Sequence, residues 1–176
     1  MKTIQLLVLM LILSSTTMAQ DFSKTCKEQM NVLSFFTGKW RGDATVTQQG
    51  GVVVQVAQEE TIEYKLDSLI IQFEGIGRRK NDLTKISFHA LAYLSYNVLK
   101  KNYEMKAFLM DGKQTDAFFK VVDKNKYDWG FEVTGGKIVY HITIDPIAKK
   151  WNEKGEFSPD GTQWHPFFEM NLTKQL

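Results

Sequence analysis

From Gly38 almost to the C-terminus the chain repeats one pattern: short segments of alternating apolar and polar residues, each closed by turn-forming residues. A period of two puts successive side chains on opposite faces of an extended strand. Trp40, Gly42, Ala44 and Val46 alternate with Arg41, Asp43, Thr45 and Thr47, and Gly50-Gly51 reverses the chain. The next segment, Val52 to about Leu66, is mixed. Val54, Val56, Gln58, Glu60 and Ile62 share one face, and Gln55, Ala57, Glu59, Thr61 and Glu63 share the other. Further segments follow from Leu69, Ile86, Tyr103, Thr115, Tyr127, Ile138, Trp151 and Trp164, divided by pairs such as Asn81-Asp82, Asp111-Gly112, Gly135-Gly136 and Asp145-Pro146. About ten strands with no helix between them imply an antiparallel meander. Closing that sheet on itself removes the edges that invite aggregation, so the expected fold is all-β, a single up-and-down β-barrel. A barrel of this width leaves room inside for a small ligand.

The residues before the first strand divide in two. Lys2, the apolar stretch Ile4 to Leu13 and the small or polar Ser14 to Ala19 form a secretion signal, with Thr17-Met18-Ala19 as its cleavage site. Residues 1–19 are therefore expected to be removed, residues 20–37 to form a linker and short helix, and residues 38–176 to form the barrel. In the segment Ser23 to Phe36, the apolar residues Cys26, Met30, Leu33 and Phe36 are spaced by three and four. This is the period of a helix, with Ser23 as N-cap and Gly38 as stop, placed to cover one end of the barrel.

The expected location is outside the cytoplasm, periplasmic or extracellular. The apolar stretch is shorter than the roughly 20 residues a bilayer core requires, and Cys26 lies too far past Ala19 for a lipoprotein, so no stable membrane anchor is expected. The net charge of +2 argues against a nucleic-acid partner. A single cysteine excludes an internal disulfide, and Cys26 reads as a small apolar side chain on the helix.

Polar residues that interrupt an inner face are the first candidates for function, because a charge in an enclosed cavity must be paired or must meet a ligand. Gln58 and Glu60 qualify, although a one-residue change in facing would put Glu59 inside instead. Arg78 and Arg79 offer a fork for a ligand carboxylate. Trp40, Phe73, Trp129 and Tyr140 are candidates for an apolar lining, as are Tyr93, Tyr103 and Trp164. His89 shares its face with Tyr93, and no two histidines show metal-ligand spacing within one strand, so no metal site is expected.

The stretch Leu33 to Gly42, with its Gly38-Lys39-Trp40-Arg41-Gly42 core, resembles the opening of the calycins, the superfamily of lipocalins and fatty-acid-binding proteins. In them a Gly-x-Trp on the first strand packs the barrel floor against a short helix. The nearer likeness is to exported bacterial lipocalin-like proteins, in Glu59-Glu60 before Leu66-Asp67 and in Gly155-Glu156-Phe157-Ser158-Pro159-Asp160-Gly161 ending at Trp164. The resemblance implies the barrel and an exported location, and transfers little chemistry. The nitrobindin-like haem barrels share the Gly-x-Trp-x-Gly opening and ligate iron through a late histidine, which His165 would supply. Against haem stand Pro166 and the Asp43-Ala44 that replaces the glycine-rich continuation, and no cofactor is expected.

Three kinds of function fit these features. The first is a module that holds a small hydrophobic or amphipathic molecule in the barrel. The second is an enzyme in which Glu60 works with His89 or Tyr93 in proton transfer. The third is a self-associating barrel, a homodimer through apolar strand faces such as Val52-Val53-Val54 and Leu69-Ile70-Ile71. No Gly-x-Ser-x-Gly elbow, nucleotide loop or paired-cysteine motif is present, which removes the corresponding hydrolase, nucleotide and metalloenzyme classes.

Overall fold

The computed structural model of the protein describes residues 22–48 and 50–176. The expected secretion signal lies outside the described residues. A helix, α1, covers residues 22–31 and is followed by a single 3₁₀ turn, Ser34–Phe36. Ten strands then run to the end: β1 Gly38–Thr47, β2 Val53–Lys65, β3 Ile70–Arg79, β4 Asp82–Asn97, β5 Asn102–Leu109, β6 Gln114–Asp123, β7 Lys126–Val133, β8 Gly136–Asp145, β9 Lys150–Ser158 and β10 His165–Lys174.

Every strand pairs antiparallel with its neighbours in sequence, and β1 pairs with β10 from Trp40↔Lys174 to Val46↔Phe168, which closes the barrel. The alternation that marks each strand sets its facing: Trp40, Ala44, Val56, Ile62, Ile71 and Leu94 are buried inward. The mixed β2 turns its Val56, Gln58, Glu60 and Ile62 face to the interior and leaves Glu59 outside, where Arg41 and Arg78 approach it.

The helical segment differs from the sequence expectation in two ways. Ser23 lies within α1 rather than capping it, and the helix does not continue to Phe36. It ends at residue 31 because the chain must turn into β1, and the last turn tightens into i→i−3 bonds at Val32, Leu33 and Phe36. The four apolar residues nonetheless all point into the barrel base, since the break preserves their common side.

Phe36 packs edge-on against Phe73, Tyr127 and Trp151, and Trp40 against Trp151. A helix C-terminus leaves carbonyls unpaired, and the barrel supplies the donors. The Tyr64 hydroxyl donates to the Met30 carbonyl at 3.0 Å, and the Tyr103 hydroxyl donates to that of Gln29 at 2.9 Å. The Trp40 indole donates to Phe36 at 2.7 Å, and Lys174 donates to Phe35 at 2.6 Å while lying over the Phe35 ring. This end is a closed floor; the other end, at the β1–β2, β3–β4, β5–β6, β7–β8 and β9–β10 turns, is a mouth.

Candidate functional site

Above the Trp40–Trp151 layer the interior opens into a cavity of about 400 Å³. Its upper wall is mostly apolar, with Val46, Val54, Leu109 and Phe131 near the mouth beside Gln48, Arg79 and Thr115. The register shift between Pro166 and Phe168 turns both Phe167 and Phe168 onto the cavity wall. The two carboxyl groups lie deeper, on β2 and β9.

Glu60 stands beside Trp40 across β1 and beside Gly75 across β3. A Cβ at position 75 would lie 2.6 Å from Glu60 Oε1, so only glycine leaves room for the carboxyl group. Gln58 Nε2 donates to Oε1 at 2.7 Å. Oε2 has no partner among the described residues and borders the cavity.

Glu153 is buried, with both oxygens engaged: Trp129 Nε1 donates to Oε1 at 2.9 Å and Trp151 Nε1 donates to Oε2 at 3.0 Å. Indole nitrogens only donate, so this pair of bonds suits a carboxylate with two accepting oxygens. Trp129 in turn stacks on Tyr140, ring centroids 4.2 Å apart and planes 8° from parallel. Gly155 makes space for that stack, since a Cβ there would lie 2.7 Å from the Tyr140 ring.

Burial governs the titration of both acids. It pushes Glu60 up to about 8, with the Gln58 hydrogen bond opposing and the nearby Glu153 adding to the rise. It pushes Glu153 up to about 7, restrained by the donors Trp129 and Trp151. The Tyr140 hydroxyl is also raised, by burial first and by Glu153 second. At neutral pH, Glu60 therefore holds a proton and Glu153 is partly ionised. Among the described residues the one basic side chain on the cavity wall is Arg79, at the mouth end of β3.

Of the candidates named from sequence, Gln58, Glu60, Phe73, Trp129 and Tyr140 line this cavity together. Trp40 and Tyr103 lie beneath it in the floor, where burial pushes the Tyr103 hydroxyl up to about 12. Three candidates require correction, because strand parity puts them on the outer surface. Arg78 approaches Glu59 at 3.7 Å, His89 bonds Glu74 at 2.9 Å, and Tyr93 is exposed. Arg79, one residue on, takes the inward position. Trp164 lies in the β9–β10 connection, half-buried and off the cavity wall. A proton-transfer pair of Glu60 with His89 or Tyr93 is thereby ruled out by facing.

Glu153 was missed by sequence reasoning, although Trp151, Glu153 and Gly155 share a parity and place it on the face of a buried tryptophan. None of the three histidines lines the cavity, and His165 is exposed, so the residues present do not fit a histidine-ligated haem there. Among the described residues no three His, Cys, Asp or Glu side chains are grouped to hold a metal ion.

No family model and no curated protein matches the chain. Solved structures do resemble it. Rv2717c from M. tuberculosis superposes with a TM-score of 0.61 at 13% identity, over 84% of this chain and 97% of that one. The S-type phycobiliprotein lyase CPES from Guillardia theta superposes with a TM-score of 0.58 at 9% identity, over 81% of this chain and 90% of that one. What these superpositions share with the chain is the fold of the closed antiparallel barrel.

Proposed function

We propose that the barrel binds one small amphipathic molecule, with its polar group inward and its apolar body toward the mouth. The observation that carries this reading is Glu60 Oε2, without a partner among the described residues, facing the base of a mostly apolar cavity. Among the described residues no fully buried side-chain polar atom lacks a partner, so Oε2 is reachable from the cavity space, where a ligand group can bond it. The volume falls within the roughly 300–1,000 Å³ usual for small-molecule sites. The phycobiliprotein lyase supports the reading only through likeness of fold. Export rests on residues 1–19 and on the resemblance to exported lipocalin-like proteins, and is part of the same proposal. A homodimer through exposed strand residues such as Val52 and Val53 is a separate proposal, to be checked by sedimentation.

The test is titration with the apolar dye N-phenylnaphthylamine, following dye and tryptophan fluorescence. Saturable binding of one dye per chain is expected, and Ala92→Trp, which fills the cavity from β4, should abolish it with an unchanged circular dichroism spectrum. Absence of saturable binding, or binding indifferent to Ala92→Trp, would overturn the proposal. A second reading, a barrel enzyme, is favoured by one arrangement: two carboxyl groups, Glu60 and Glu153, border one cavity, and burial pushes both above the usual carboxylate range. It requires that the natural ligand, recovered by native mass spectrometry, change mass on incubation with the protein.

A further inference from the structure

The cavity floor constrains the chemistry of its occupant more closely than amphipathicity alone. Four groups on the wall are charged or titratable: Glu60 from β2, Glu153 from β9, Tyr140 from β8 and Arg79 from β3. The first three are acids in the interior, and the sole cation among the described residues of the wall is at the mouth. From the other elements facing Glu60, β1 presents Trp40 and β3 presents Gly75, neither of which carries charge.

All the protein donors on the two carboxyl groups are neutral, one amide on Glu60 and two indoles on Glu153. A ligand carboxylate would add a third acid to this base, with no cation beside it. A ligand hydroxyl would meet the protonated Glu60 as a neutral partner and leave the partial charge of Glu153 uncompensated. An ammonium group would meet Glu60 Oε2 directly and compensate the charge of the pair.

We infer that the polar end of the ligand is a basic nitrogen, so that the barrel is a receptor for a cationic amphiphile whose ammonium sits against Glu60 and Glu153. This rests on the binding role proposed above and assigns its ligand class. Proton balance follows from the chemistry. Neutral Glu60 and an incoming ammonium give a carboxylate–ammonium pair, and the carboxyl proton leaves to solvent. Entry is therefore coupled to the release of about one proton per molecule bound near neutral pH. Release of this kind is supported by the raised Glu60, which is protonated before the ligand arrives.

The test uses three compounds with one apolar body, octylamine, octanol and octanoate, each competing with N-phenylnaphthylamine at neutral pH. Octylamine is expected to displace the dye at a concentration about tenfold or more below that of octanol, the scale of one charge-assisted bond, with octanoate weakest. Titration calorimetry of octylamine in phosphate and in Tris should differ by the buffer ionisation heat of about one proton. Glu60→Gln, an isostere of the protonated acid, should shrink the amine's advantage to within about threefold. Octanol or octanoate matching octylamine, while the dye still binds, would overturn the amine inference and leave the binding role standing. Failure of the dye to bind at all would sink the binding role and this inference together. The series on the native protein decides the question even if the variant does not fold.

Discussion

Glu60 and Glu153 share a cavity but are held differently, and the difference predicts how the protein responds to pH. Glu153 accepts from two indoles, whereas Glu60 accepts from one amide and otherwise faces the cavity. In the unfolded chain both return to ordinary carboxylate behaviour, so between that range and about 8 the folded state binds more protons than the unfolded one. Stability of the ligand-free protein is thus fully present at mildly acid pH, declines as pH rises across that window, and levels off above it. Glu60→Gln removes the acid that must ionise inside the barrel. The variant should match the parent at pH of about 5 and exceed it by on the order of 3 kcal/mol at pH of about 9, as read by urea unfolding at the two pH values. Equal stability at both would show that Glu60 is solvated in the folded state.

The floor is the element on which the cavity depends. Phe36 is fully buried and touches rings from β3, β7 and β9, so one side chain from the 3₁₀ turn ties three strands together. Phe36→Ala should cost about 3–5 kcal/mol in denaturant unfolding, because barrel strands cannot collapse into the space a ring leaves. Tyr103→Phe removes one cap from α1, and the half-buried Gln29 carbonyl keeps only the Val32 N–H. A loss of about 1 kcal/mol is expected, with dye affinity kept, since Tyr103 lies below the cavity. A large loss of dye affinity in Tyr103→Phe would mean that floor and cavity are coupled. The Lys27–Asp67 ion pair, which joins α1 to the β2–β3 turn, is exposed and contributes little beside these contacts.

At the scale of the whole molecule, closure is the property that the separate strands cannot supply. β1 and β10 meet across nearly the full length of the barrel, and each would be an open edge without the other. Removing β10 by a stop at His165 leaves two such edges and takes Met170 and Leu172 from the core. The truncated chain should show no cooperative thermal transition by circular dichroism. The export proposed above is tested on the same scale: N-terminal sequencing of the protein recovered from its natural host is expected to begin at Gln20, and a retained Met1 would refute the signal.

Much of this architecture was legible because alternation is a local property. The number of strands, their turns and the burial of Trp40, Phe36 and Leu33 follow from spacing alone, whereas β2, with valines on both faces, leaves the choice between Glu59 and Glu60 to the register. The aromatic floor was legible in part, since the helical period marked its residues but not the break that turns the chain into β1. What the tertiary structure decided is which side chains meet. Glu60 and Glu153 are far apart in sequence and on strands that do not pair, and only the curvature of a closed sheet brings both into one cavity. Arg78 and Arg79 look equivalent in a list of residues, yet one residue of pleat sends the first to solvent and the second to the mouth. Period two is encoded along the chain, whereas proximity across a barrel is a consequence of register and closure, which no single strand contains.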